Sequence, residues 1–218
     1  MTTAWIVGAS GAWGRATVVD LWRRGWDVVA LGRHDVPELE AWAKRMERGW
    51  RWVPFDLAAP APVIPTGGPP DLLVLCAAAV DGGREELLRV DYLAPAALIE
   101  QVAERMVAQG AGRIGVFMGQ NARLGMAGLG DFSAAQAALW TWCEALQDRL
   151  GRADSAVTLT RVVPPRIASP TQRRLAELTG RSARLHRPDA RPLMDAVLAG
   201  RRRAGRRPVL AALSTLFR

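Results

Sequence analysis

Four apolar residues, Ala4-Trp-Ile-Val7, run straight into Gly8, and two more glycines follow at three-residue intervals, Gly11 and Gly14, before an apolar-periodic stretch from Arg15 to Trp22. A strand that turns through glycines into a helix is a strong constraint, because a strand apolar on both faces must be covered on both. The pattern then repeats. A second strand, Asp27–Leu31, ends at Gly32-Arg33-His34, a helix is expected from Val36 to about Glu47, and a third strand covers Arg51–Phe55. Strand and helix in alternation predict an α/β chain, a Rossmann-type doubly wound parallel sheet with helices on both faces.

Between Asp56 and Asp71 the alternation stops. Pro60, Pro62, Pro65, Pro69 and Pro70 remove amide donors, and a loop is expected. Asp71–Leu75 resumes as a buried strand. A long helix from about Glu85 to Gln109 contains Pro95, which cannot donate to the carbonyl four residues back, so a kink is expected at that residue. A strand over Arg113–Phe117, a helix from about Ser133 to Leu150, a strand over Ala156–Val163 and a helix from about Pro192 complete the pattern. The last is followed by the basic runs Gly200–Arg203 and Arg206–Leu210 and by an apolar tail bearing Leu210, Leu213, Leu216 and Phe217.

A chain of 218 residues with 50% hydrophobic content suits one domain, 1–218, able to bury roughly 70% of its unfolded surface. No apolar run reaches membrane-spanning length, and the first residues lack the charged front and cleavage site of a secretion signal, so a cytoplasmic protein is expected. Cys76 and Cys143 have no metal-ligand spacing with His34 or His186; they read as buried thiols, and no metal is expected. The net charge is +8, and half of the arginines lie between Arg161 and Arg218. Since Lys44 is the only lysine, the arginines reflect composition rather than a basic patch, and neither a nucleic-acid nor a membrane partner is expected.

The glycine loop stands after a strand and opens a helix, the setting in which backbone amides meet a pyrophosphate. Gly8 would permit the tight turn, Gly11 the approach of the phosphates and Gly14 the packing of helix on sheet. Arg33, just past the second strand, is where a guanidinium would select the 2′-phosphate of NADP; Asp35 nearby keeps NAD open.

With these segments in order, the chain resembles the short-chain dehydrogenase/reductase family over nearly its whole length. Residues 8–14 are similar to the family's glycine motif, Asp56-Leu57 to its adenine-holding pair, and Cys76-Ala-Ala-Ala79 to its Asn-Asn-Ala-Gly segment. The resemblance implies that Gly8, Ser10, Gly11, Gly14, Arg33, Asp56, Leu57 and Ala77 hold NADP, that the partners are small molecules, and that the protein forms a homo-oligomer. It also places the family's Asn, Ser, Tyr and Lys at Asp91, Gly119, Phe132 and Gln136, none of which keeps the catalytic residue type. The thirteen residues from Gly119 to Phe132 match the family's interval. Tyr92 is the only tyrosine, and it cannot pair with Lys44 at helical i, i+4 spacing. Gln120, Asn121 and Ser133 are further polar candidates near the vacated site. Pro164-Pro165 resembles the Pro-Gly turn after the sixth strand, and Thr171 the Thr that touches the carboxamide. The short lid, residues 168–186, offers Arg173, Arg174, Arg181 and Arg184 to an acidic substrate.

Three functions are compatible with this reading. One is an atypical NADP-dependent ketoreductase whose substrate or solvent supplies the proton; another is an inactive cofactor sensor or scaffold; the third is a non-redox cyclase or isomerase.

Overall fold

The computed structural model describes residues 2–60, 64–119, 122, 125–180 and 185–205. Its centre is a seven-stranded sheet: β1 Thr3–Val7, β2 Asp27–Gly32, β3 Trp50–Pro54, β4 Leu72–Leu75, β5 Gly112–Phe117, β6 Val157–Val163 and β7 Arg203–Gly205. The strand order is β3-β2-β1-β4-β5-β6-β7, and every pairing is parallel. The predicted doubly wound sheet is thus observed. The helices are α1 Ala12–Arg23, α2 Pro37–Arg45, α3 Arg84–Leu88, α4 Ala94–Gln109, α5 Gly130–Arg152, α6 Pro170–Thr179 and α7 Arg191–Leu198.

Strand alternation splits the core in two. Trp5, Val7, Leu73 and Leu75 face Leu98, Ile99 and Val102 of α4 and Leu139, Cys143 and Leu146 of α5. Ala4, Ile6, Leu72 and Val74 face Val18, Leu21 and Trp22 of α1, Leu39 of α2, and Met194 and Val197 of α7. Each large apolar side chain fully buried this way contributes about 1.5–3 kcal/mol. The edge strand β7 is held by side chains from two elements: Gln147 donates through Nε2 to the carbonyls of Leu159 (2.6 Å) and Arg202 (2.8 Å), and the Thr160 hydroxyl donates to the Arg201 carbonyl.

The long helix departs from expectation. The disturbance lies not at Pro95 but before it, in a π-helical turn over Arg89–Leu93, where the Ala94 amide donates to the Arg89 carbonyl five residues back. Pro95 then falls in the first turn of α4, where a missing donor costs nothing. The one-residue widening is a π-bulge. The sheet closes on β7, which begins within the basic run at Arg203; Arg206–Leu210 and the apolar tail lie outside the described residues. No described helix is long and apolar enough to cross a membrane, and no described His/Cys/Asp/Glu cluster could hold a metal.

Candidate functional site

β1 lies between β2 and β4, so the connections leave it for opposite faces, and a cleft opens at the carboxyl ends of the strands. Its volume is about 410 Å³, with walls from the turns after β1, β2, β3, β4, β5 and β6 and from α6.

The glycine turn forms the cleft's floor. Gly8 has φ +82°, and a Cβ there would lie 2.7 Å from the Ala77 nitrogen, so glycine is required for both conformation and space. A Cβ on Gly14 would fall 2.1 Å from the Gly8 carbonyl, which is how tightly α1 seats on the turn. Gly14 is buried and supports the cleft from behind, whereas Gly8, Ser10 and Gly11 line it. Gly11 is the N-cap of α1 and brings no capping side chain. The first-turn amides of α1, which have no intrahelical partner, are therefore left for a ligand, and the helix dipole favours an anion there. Two residues not anticipated from sequence complete this end. Arg15 fastens the turn by donating from Nε to the Ser10 carbonyl at 3.1 Å, and half-exposed Trp13 lines the cleft with its ring 5.9 Å from that of Phe117. Trp13 was visible as an aromatic inside a glycine loop, a place where small residues are the rule.

Arg33, His34, Asp56, Leu57 and Ala77 all line the same cleft. The Arg33 side chain is exposed and makes no hydrogen bond or ion pair among the described residues. Asp35 instead accepts the Val36 amide at 2.7 Å, at the start of α2, and is not part of the lining. Asp56 accepts the Ala58 amide at 2.9 Å, which shapes the loop after β3. Cys76, expected to be buried, is half-buried and lines the cleft; burial pushes its thiol up to about 12, so it stays neutral.

At the other end, three of the four positions Asp91, Gly119, Phe132 and Gln136 are bonded to one another. The Gly119 amide donates to Gln136 Oε1 at 2.9 Å, Gln136 Nε2 donates to Asp91 Oδ1 at 3.1 Å, and the Ala79 amide donates to the same oxygen at 3.2 Å. One carboxamide thus ties the end of β5, the π turn and α5 together. Asp91 Oδ2 is buried without a hydrogen-bond partner among the described residues. Burial pushes the Asp91 carboxyl up to about 7, against the pull of the Ala79 and Gln136 bonds. Gly119, Phe132 and Gln136 line the cleft, while Asp91 and Ser133 lie behind it. Gln120 and Asn121 lie outside the described residues. Thr171 lines the cleft, as does Ser169, whose hydroxyl caps α6 by accepting the Gln172 amide at 3.0 Å.

The lid arginines are placed differently from expectation. Arg174 donates to both carboxylate oxygens of Asp81 (2.7 and 2.9 Å) and to Glu177 (3.1 Å), so it fastens α6 to the loop after β4 and is not free for a substrate. Arg173 is exposed outside the lining, and Arg181 and Arg184 lie outside the described residues.

No family model matches the sequence, and no curated protein matches it. Solved structures do. A short-chain dehydrogenase from Sphingobium yanoikuyae in complex with NADPH aligns with TM-score 0.80 at 19% identity, covering 100% of this chain and 92% of that one. The chain folds as a short-chain dehydrogenase/reductase does. A short-chain dehydrogenase from Streptomyces avermitilis gives TM-score 0.78 at 17% identity over 100% and 94% of the two chains. A single-substitution variant of actinorhodin polyketide ketoreductase with NADPH gives 0.78 at 16% over 96% and 97%.

Proposed function

We propose that this short-chain dehydrogenase-like chain binds NADP(H) in the cleft and acts as an atypical, ketoreductase-like oxidoreductase without a Ser-Tyr-Lys set of its own. The reading is carried by the cradle at Gly8, which a single Cβ would fill, facing the uncapped start of α1, with Arg33, unpaired among the described residues, on the same wall. The residues present fit the cofactor: Gly8, Ser10 and Gly11 would receive the pyrophosphate, Arg33 the 2′-phosphate, and Asp56 with Leu57 the adenine. NADPH, when bound, supplies a hydride. The chain's part is to hold the substrate close and to exclude water, since proximity and orientation can contribute about 7–11 kcal/mol where acid-base catalysis contributes ~10²- to 10⁴-fold. The proton comes from the substrate or from solvent, because Phe132 has no hydroxyl and the Gln136 carboxamide is committed to Gly119 and Asp91.

That commitment also favours a second reading, a cofactor sensor without turnover. Titration of NADPH and NADH into the full chain, followed by tryptophan-to-nicotinamide energy transfer, tests both. NADPH is expected to bind at least tenfold more tightly than NADH, and Arg33→Ala to remove the preference; absence of binding refutes both readings. Slow, carbonyl-dependent oxidation of NADPH then supports the reductase, and binding without turnover across a broad ketone panel supports the sensor.

A further inference from the structure

The walls beyond Gly119 are apolar. Leu129 and Phe132 are buried and packed with Leu87, and Ala79, Val80, Met126, Leu175 and Leu178 close around them. Of these, Ala79, Met126, Leu129, Phe132 and Leu175 face the cleft, joined by Val90. Uncharged polar groups at this end are Gln136 of α5, Ser169 at the cap of α6, and Thr171, Gln172 and Thr179 on α6. The nearby cations are engaged elsewhere, Arg174 by Asp81 and Glu177, and Arg84 by Asp131 at 2.9 Å. Among the described residues, the charge at this end apart from Arg166 is negative. Glu86 is exposed on α3 with its carboxylate beside Gly82, close enough that a Cβ on Gly82 would stand 2.8 Å from Glu86 Oε2.

We infer that this end of the cleft takes an uncharged, apolar carbonyl compound and rejects its carboxylate analogue. The inference rests on the proposed reductase reading for the word carbonyl, but its selectivity follows from the walls alone. Burying an unpaired carboxylate against Leu129, Phe132 and Leu175 forfeits its hydration, which the few neutral donors of α6 replace only in part and without a compensating charge. Glu86 adds like-charge repulsion at the mouth. An apolar ring gains contact with the same walls and loses nothing. Arg166, which lines the cleft after β6 but is not part of the apolar cluster, is the one described cation that could reverse this selectivity.

The test uses a matched pair, 2-acetylnaphthalene and 6-acetyl-2-naphthoate, titrated calorimetrically into the full chain. The neutral compound is expected to bind at least tenfold more tightly. Glu86→Lys, on an exposed side chain, is expected to narrow that ratio at least threefold. Leu175→Glu on the half-buried face of α6 is expected to weaken the neutral compound at least tenfold, with Met126→Glu as a second variant should the first misfold by circular dichroism. Equal or tighter binding of the naphthoate overturns the inference, as does carboxylate binding that Arg166→Ala abolishes. So does binding of neither compound, or neutral binding unchanged in both wall variants. NADPH is titrated into the same samples. Loss of cofactor binding with the neutral preference intact defeats the proposed function and leaves this inference standing; the reverse pattern defeats this inference alone.

Discussion

Replacing Asp91 with Asn should stabilise the protein at alkaline pH and do little at acid pH. Asp91 is 1% exposed, and its carboxyl titrates at about 7 in the folded chain against an ordinary 3.8, because burial penalises the charged form more than the Ala79 and Gln136 bonds favour it. Below pH 3.8 the group is protonated in both the folded and the unfolded chain, and the shift has no effect on stability. Between 3.8 and 7 the folded chain keeps a proton that the unfolded chain has released, so stability falls as pH rises; above 7 the penalty is complete. A gap of about three pH units at ~1.36 kcal/mol each amounts to roughly 4 kcal/mol. Asn keeps an acceptor for Ala79 and Gln136 and puts a neutral amide where Oδ2 lies unpartnered. The unpartnered donor of Asn stands in for that of the protonated acid, so the two proteins converge at low pH. Urea denaturation at pH 4.5, 6 and 8 measures the difference, with Asp91→Asn expected to gain about 1 kcal/mol at the first and 3–4 kcal/mol at the last. A destabilised variant at pH 8, or a gain that does not change with pH, would refute the assignment of Asp91 as a buried, desolvated acid.

Other substitutions probe the remaining parts of the cleft and scaffold. Gly14→Ala forces a Cβ to within 2.1 Å of the Gly8 carbonyl and should cost about 3 kcal/mol or more by thermal or urea unfolding. Gly151→Ala, in α5 with open space around it, should instead gain about 0.5–1 kcal/mol. Arg174→Ala removes an exposed, solvent-screened ion pair and should leave the urea midpoint of global unfolding essentially unchanged. The same variant should speed amide exchange in Pro170–Thr179, because only that helix loses its fastening to Asp81.

The alternation of strand and helix carried the fold, since it depends on local apolar runs and on Gly8 and Gly32 as turns, and these act over a few residues. The position of the helix disturbance was not legible. Pro95 marks a missing donor, but whether the chain bends at the proline or widens one turn earlier depends on what Asp91 and Leu87 meet in the folded protein. The glycine turn and Arg33 were legible because their roles follow from position relative to β1 and β2. The bonding of Gly119 through Gln136 to Asp91 was not, because it joins residues 17 and 45 positions apart, and a glutamine has no sequence signature for holding a strand end to a π turn. Arg174 misled for a similar reason: in sequence it is one of several lid arginines, and only folding brings it to Asp81, 93 positions away.

The position of β1 between β2 and β4 has a mechanical consequence. The strands β1–β3 and β4–β7 meet along one ladder, in which Ala4, Trp5, Ile6 and Val7 stand opposite Leu72, Leu73, Val74 and Leu75. The cleft lies over the end of that ladder, with Gly8 on one bank and Ala77 on the other. Any molecule filling it spans the joint like a rivet and resists the two halves parting. At a hundred times its dissociation constant such an occupant adds about 2.7 kcal/mol to the stability of the folded chain, so a melting temperature that climbs with its concentration is the mark of a true occupant.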